Sequence, residues 1–246
     1  MDYQQITTRV DAVLRSGGFP SDEPLDSVRL ISESTAHEIP DYMLGTYSSV
    51  LANFGQWDRA EAVARKIHHN PNEMGVALAV IAQGMAAADL LDRAESVALS
   101  IPNSSAFTGA MVEKATAILA IASKHLAEGS SDRPEKLLAE AEKTVRCLSY
   151  ANHLLVSLLG DLASALYRIG QVQPALKLWD ESTAVAGESI RAYREGGAPD
   201  VDSWKSLSII AEDLFSIGET ARAERALALI DNDDWRERTL RRLKRI

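Results

Sequence analysis

The chain has 246 residues, of which 46% are apolar and 25% charged, with a formal net charge of −9 and a single cysteine. That apolar share is enough to build a core, while 14 Gly and 8 Pro exclude collagen-like and low-complexity chains. The acidic balance sets the body of the chain against nucleic acid, whose phosphates it would repel, and lone Cys147 excludes an internal disulfide.

The opening MDYQQITTRV has neither a basic n-region nor an apolar h-region. With no disulfide pair, the expectation is a cytoplasmic protein. The most apolar run, Leu154 to Ile169, is interrupted by Asp161 and falls short of the roughly 18–20 residues a membrane span needs.

Taken in chain order, residues 3–16 and 25–38 carry apolar residues at helical spacing around the turn Gly17-Gly18-Phe19-Pro20, a diverged first hairpin over 1–39. Residues 55–67 then read GQWDRAEAVARKI, and 34 positions later residues 89–101 read DLLDRAESVALSI. Seven of the thirteen pairs are identical, which marks an internal repeat. Weaker copies follow at 129–141 (GSSDRPEKLLAEA), 170–182 (GQVQPALKLWDES) and 218–230 (GETARAERALALI). A Gly stands five residues before a small residue or Pro in four copies: Gly55/Ala60, Gly129/Pro134, Gly170/Ala175 and Gly218/Ala223. Asp89 replaces it in the remaining copy, and Asp too tolerates the left-handed conformation that ends a helix.

Each unit predicts a helical hairpin. Val112, Ala115, Ile118, Leu119 and Ala122 mark one first helix, and Leu155, Leu158, Leu159, Leu162 and Leu166 another. Pro134 and Pro174 fit the first turn of second helices, where no intrahelical donor is lost. Breakers at Ile39-Pro40, His69-Asn70-Pro71 and Ile101-Pro102 close units, with Asp41, Asn72 and Ser104 as N-cap candidates. No strand signal is found. The prediction is a single all-α domain over 1–246: an α-α superhelix, or solenoid, of about six hairpins. Its parts are the diverged hairpin (1–39), the repeats (40–232) and a basic C-terminal capping helix (233–246).

That last helix stands out in charge. From Trp235 to Ile246 it carries Arg236, Arg238, Arg241, Arg242, Lys244 and Arg245 against Glu237 alone. It fits a cap over the last hairpin, a dock for an acidic protein or the acidic body, or a contact for nucleic acid or an anionic membrane through Arg238, Arg241, Arg242 and Arg245.

Chemistry is harder to place. His37, His68, His69, His125 and His153 lack the i, i+4 spacing of paired ligands, and Cys147 has no Cys partner. Asp231-Asn232-Asp233-Asp234 fits a helix start with Asp233 as N-cap better than a metal site. No phosphate loop, nucleophile elbow or zinc-hydrolase motif is present. The expectation is a non-catalytic chain with no metal and no cofactor. Trp57, Trp179 and Trp204 are spaced one per hairpin, as packing residues are.

The 34-residue helix–turn–helix period, with Gly and then Ala five residues on at the turn, resembles the tetratricopeptide repeat family over roughly 42–230. The resemblance implies a right-handed superhelix whose first helices line a concave groove that holds a peptide or partner protein. Carrying over the family's groove positions implies a lining of Tyr42, Ser49, Asn53, Gln83, Ser123, Ser164, Tyr167, Arg168, Lys205, Glu212 and Phe215. Small residues such as Gly45, Ala79, Gly160 and Ser208 fall at the same register, where they serve close helix packing equally well. The implied function is an adaptor or scaffold. The alternative is a regulator that meets nucleic acid or an anionic membrane through the basic tail.

Overall fold

A computed structural model describes residues 41–244 except 105, 107, 130–131, 149–152 and 197–200. The hairpin expected over 1–39 and the tail residue Arg245 lie outside the described residues. Among those described there are eleven helices and no strand: α1 (Asp41–Asn53), α2 (Trp57–Ala64), α3 (Pro71–Ala87), α4 (Leu91–Leu99), α5 (Thr108–Ala127), α6 (Asp132–Arg146), α7 (His153–Arg168), α8 (Val172–Glu195), α9 (Val201–Ser216), α10 (Thr220–Ala228) and α11 (Asp233–Leu243). The chain is all-α, as the periodicity predicts. None of these helices is long and apolar enough to cross a membrane.

The repeated turn has one physical form. Gly55, Gly129, Gly170 and Gly218 have φ between +70° and +84°, and Asp89, the residue that replaces Gly, has φ +59°. At the first turn, Gly55 N–H donates to Ala52 O and Gln56 N–H to Leu51 O, both at 2.9 Å. Equivalent bonds recur at Asp89/Leu90, Gly170/Gln171 and Gly218/Glu219. This is a Schellman closure, which satisfies the last carbonyls of a helix only when the next residue is left-handed. A side chain resists that conformation, so Gly recurs there.

Two N-caps differ from the sequence expectation. Asn70, not Asn72, caps α3: its Oδ1 accepts from Glu73 N at 3.2 Å, and Pro71 occupies the first turn. Asn72 is two residues too deep to cap its own helix. Its Oδ1 instead accepts from Ala110 N at 2.9 Å, so a residue of α3 caps α5. Likewise Asn232, not Asp233, caps α11 by accepting from Trp235 N at 2.9 Å. Asp233 pairs with Arg236 at 3.0 Å instead.

Every substantial packing contact joins helices no more than two apart in chain order. The first helices α1, α3, α5, α7 and α9 pack successively on one another, and each also packs on its own second helix. One cluster of buried residues runs from Met43 to Leu243 and includes Trp179 and Trp204, with Trp57 half-buried against it. The helices approach closely: a Cβ placed on Gly75 of α3 would lie 2.4 Å from Ala110 Cβ of α5. At the far end α11 packs on α9, where a further first helix would lie. Thr239 and Leu243 are buried there, Ser208 and Thr239 share a hydrogen bond of 2.9 Å, and Trp235 Nε1 donates to Ser208 at 2.9 Å.

Candidate functional site

The expected groove positions all fall on first helices, and their environments divide them into three groups. Gly45, Ala79, Gly160 and Ser208 are buried, so they serve helix packing. Gly160, for example, has room for the Ile210 side chain of α9 and little else.

A second group is committed within the fold. Ser49 donates to its own helix at Gly45 O (3.0 Å), and Gln83 donates to Glu113 Oε2 (3.2 Å). The Tyr167 ring turns to Trp179 of α8, with centroids 6.0 Å apart. Glu212 forms an ion pair with Arg242, whose Nε lies 2.9 Å from Oε1, so one expected groove residue and one expected tail residue hold each other.

The third group stays at the surface. Tyr42 is 59% exposed and Phe215 37%, and Asn53 and Lys205 are exposed as well. Ser123, Ser164 and Arg168 meet in a cleft of about 330 Å³ between α5 and α7.

The α5 wall of this cleft is Thr116, Leu119, Ala120 and Ser123, and the α7 wall is Asp161, Ser164, Ala165 and Arg168, two sets with the same i, i+3, i+4, i+7 spacing. Each wall therefore runs two helical turns, with Asp161 at one end of the α7 wall and Arg168 at the other. Leu119, Ala120 and Ala165 provide the apolar part.

Electrostatics separate the ends. Neither Asp161 nor Arg168 forms an ion pair or side-chain hydrogen bond with any described residue. Behind Asp161 lies a second carboxylate, Asp213 of α9, which accepts a hydrogen bond from Ser164 Oγ. Burial raises the Asp161 pKa above the usual carboxylate value, and the Asp213 charge raises it further. Burial also raises Asp213, offset in part by the Ser164 hydrogen bond. One end of the cleft thus concentrates negative charge, and the other holds a guanidinium with no partner among the described residues.

Sequence reasoning did not single out Asp161 and Asp213. A signal existed for the first: Asp161 interrupts an apolar run and lies three and seven residues before Ser164 and Arg168, on one helical face. Nothing local in the sequence pointed to Asp213, which joins them only through the packing of α9 on α7.

The basic tail is largely paired. Arg236 bonds Asp233 and the Ile230 carbonyl, Arg241 bonds Glu237 at 2.7 Å, and Arg242 forms an ion pair with Glu212. Arg238 is exposed and has no described partner. The acidic cluster before it is also engaged: Asp231 pairs with Arg194, Asn232 caps α11 and Asp233 pairs with Arg236. Among the described residues, no group of three His, Cys, Asp or Glu side chains is placed to hold a metal ion.

No family model matches the chain, and no curated protein matches it. Among solved structures, it is similar to Ton1535 from Thermococcus onnurineus NA1, with 15% identity and a TM-score of 0.46. The match covers 82% of this chain but only 57% of that protein.

Proposed function

We propose that the chain is a non-catalytic adaptor built of tetratricopeptide-like repeats. It is a superhelical solenoid that holds a peptide or partner protein on the face made by its first helices. The strictly neighbouring order of helix packing supports the solenoid, because each hairpin leaves an apolar face that only the next one covers. The observation that carries the function is the α5–α7 cleft, where expected groove residues Ser123, Ser164 and Arg168 line one pocket and two opposite charges lack partners among the described residues. A surface on rigid helices binds with little ordering cost. The pairing of Arg236, Arg241 and Arg242 within the fold favours the cap over the nucleic-acid or membrane role of the tail.

The test is affinity capture from native lysate with three forms of the full chain: wild type, Ser123→Arg, and Arg238→Glu with Lys244→Glu. Circular dichroism checks that each is folded. A stoichiometric protein lost with Ser123→Arg and kept by the tail variant supports the adaptor reading. A protein or nucleic acid kept by Ser123→Arg and lost with the tail variant transfers binding to the basic helix.

A further inference from the structure

The α5–α7 cleft carries a charge pattern specific enough to name its occupant. Asp161 and Arg168 are seven residues apart on one helix, which at 1.5 Å per residue separates them by about 10 Å along its axis. Both side chains are without partners among the described residues, although ion pairs are common on this molecule's surface. They do not quench each other, since two helical turns lie between them. Asp213 deepens the negative potential at the first end, and Ser164 lies between the two ends. The single Ser164 proton is directed to Asp213 or to the Gly160 carbonyl, which leaves the hydroxyl oxygen as an acceptor for a ligand N–H.

A ligand that completes this site must hold a cation and an anion about 10 Å apart. A free amino acid, with its ammonium and carboxylate one carbon apart, reaches only one end. A polyamine answers Asp161 but leaves Arg168 bare. An extended polypeptide in the polyproline II conformation advances about 3.1 Å per residue with three residues per turn, so side chains three residues apart lie on one face about 9 Å apart and match the spacing. Because the cleft is open at the surface, a chain can pass along it without being threaded.

We propose that the cleft takes an extended segment of a partner protein in which Lys or Arg stands three residues from Asp or Glu. The cation sits at Asp161 and the carboxylate at Arg168. This rests on the adaptor reading above and adds the sequence class of the partner segment.

The test is selection of a phage-displayed library of random ten-residue peptides on the immobilised full chain. It is repeated on Asp161→Asn, which is near-isosteric, and on Arg168→Gln, which removes the charge and shortens the side chain, each checked for fold by circular dichroism. The expected result is enrichment of opposite charges three positions apart on wild type. Asp161→Asn then loses the preference for the cation, and Arg168→Gln loses that for the anion. A synthetic copy of the leading peptide weakens by about fivefold or more with either variant and on raising salt. Enriched peptides without this charge spacing, or with a preference unchanged by both variants, overturn the inference and leave peptide binding intact. Failure to enrich any peptide overturns both the inference and the adaptor reading.

Discussion

Arg133 of α6 reaches back to α4, where its Nε lies 3.1 Å from Glu95 Oε2 and its Nη2 bonds Asp92. One repeat earlier, Arg93 of α4 reaches the corresponding acids of α2: it bonds Asp58, and its Nη2 lies 3.8 Å from Glu61 Oε2. The sequence Asp-Arg-x-Glu at 58–61, 92–95 and 132–135 is therefore a ladder, in which Arg93 and Arg133 each reach the two acids of the preceding copy. Gln171 continues it to Glu135 at 3.1 Å, and Arg222 ties α10 to Asp180 of α8. The most similar residues of the repeat join the second helices to one another, away from the cleft.

These pairs are exposed, so each contributes little alone. Arg93→Ala is expected to lower unfolding stability by a few tenths to about 1 kcal/mol in urea titration. The loss should shrink as salt rises from about 0.05 to 0.5 M, because screening already weakens the wild-type pair.

Packing between first helices predicts a larger effect. Gly75→Ala puts a methyl group into the space of Ala110, with both groups on helix backbones that must separate to relieve it. Thermal or urea unfolding should show a loss of about 1–3 kcal/mol, although Ala is the better helix former. A matched Gly75→Ala, Ala110→Gly double variant should regain part of it.

Lys114 is 2% exposed, and its Nζ bonds Ile101 O at 2.7 Å, Asn103 Oδ1 at 3.0 Å and Glu140 Oε1 at 3.3 Å. It thereby pins the link between α4 and α5 to α6. Lys114→Met takes from Glu140 its buried cation and leaves it only Asn103 and the exposed Lys143, and should cost about 2–4 kcal/mol given that Glu140 keeps some contact with solvent. Adding Glu140→Leu should recover much of this, because the stranded charge is then gone.

Burial pushes the Glu140 pKa up, but bonds and charge from Lys114, with help from Asn103 and Lys143, bring it below its ordinary value. A depressed carboxylate stabilises the fold above the unfolded-state pKa, and that stability is lost as pH falls through the folded value. Wild type should therefore lose stability below about pH 4.5 more steeply than the Lys114→Met, Glu140→Leu variant.

The cleft carboxylates behave with the opposite sign. The pKa of Asp161 is raised, so the folded state holds its proton more tightly than the unfolded state, and stability is lost as pH climbs through the folded value. Asp161→Asn removes that penalty and, because Asp161 is exposed to solvent, should raise unfolding stability at pH 7 only slightly in urea titration, with the gain vanishing in acid. A gain in stability paired with a loss of peptide binding is the signature of a charge kept for a ligand.

What the sequence determined by itself was local. Apolar residues at a 3.6 period, Gly or Asp at the helix ends and Pro in first turns are decided within a few residues of chain, and so the hairpins and left-handed turns were legible. The N-caps slipped because Asn70 and Asn72, like Asn232 and Asp233, are equally good acceptors; only the actual start of the helix selects between them. The cleft belonged to the tertiary structure. Which positions of α5 meet α7, and that Asp213 arrives behind Asp161 from α9, depend on how the helices are set against each other. That setting follows from the fit of Gly75 on Ala110 and of Gly160 on Ile210, contacts between residues 35 and 50 positions apart. Packing alone brings such pairs together, because no local spacing rule acts over that distance.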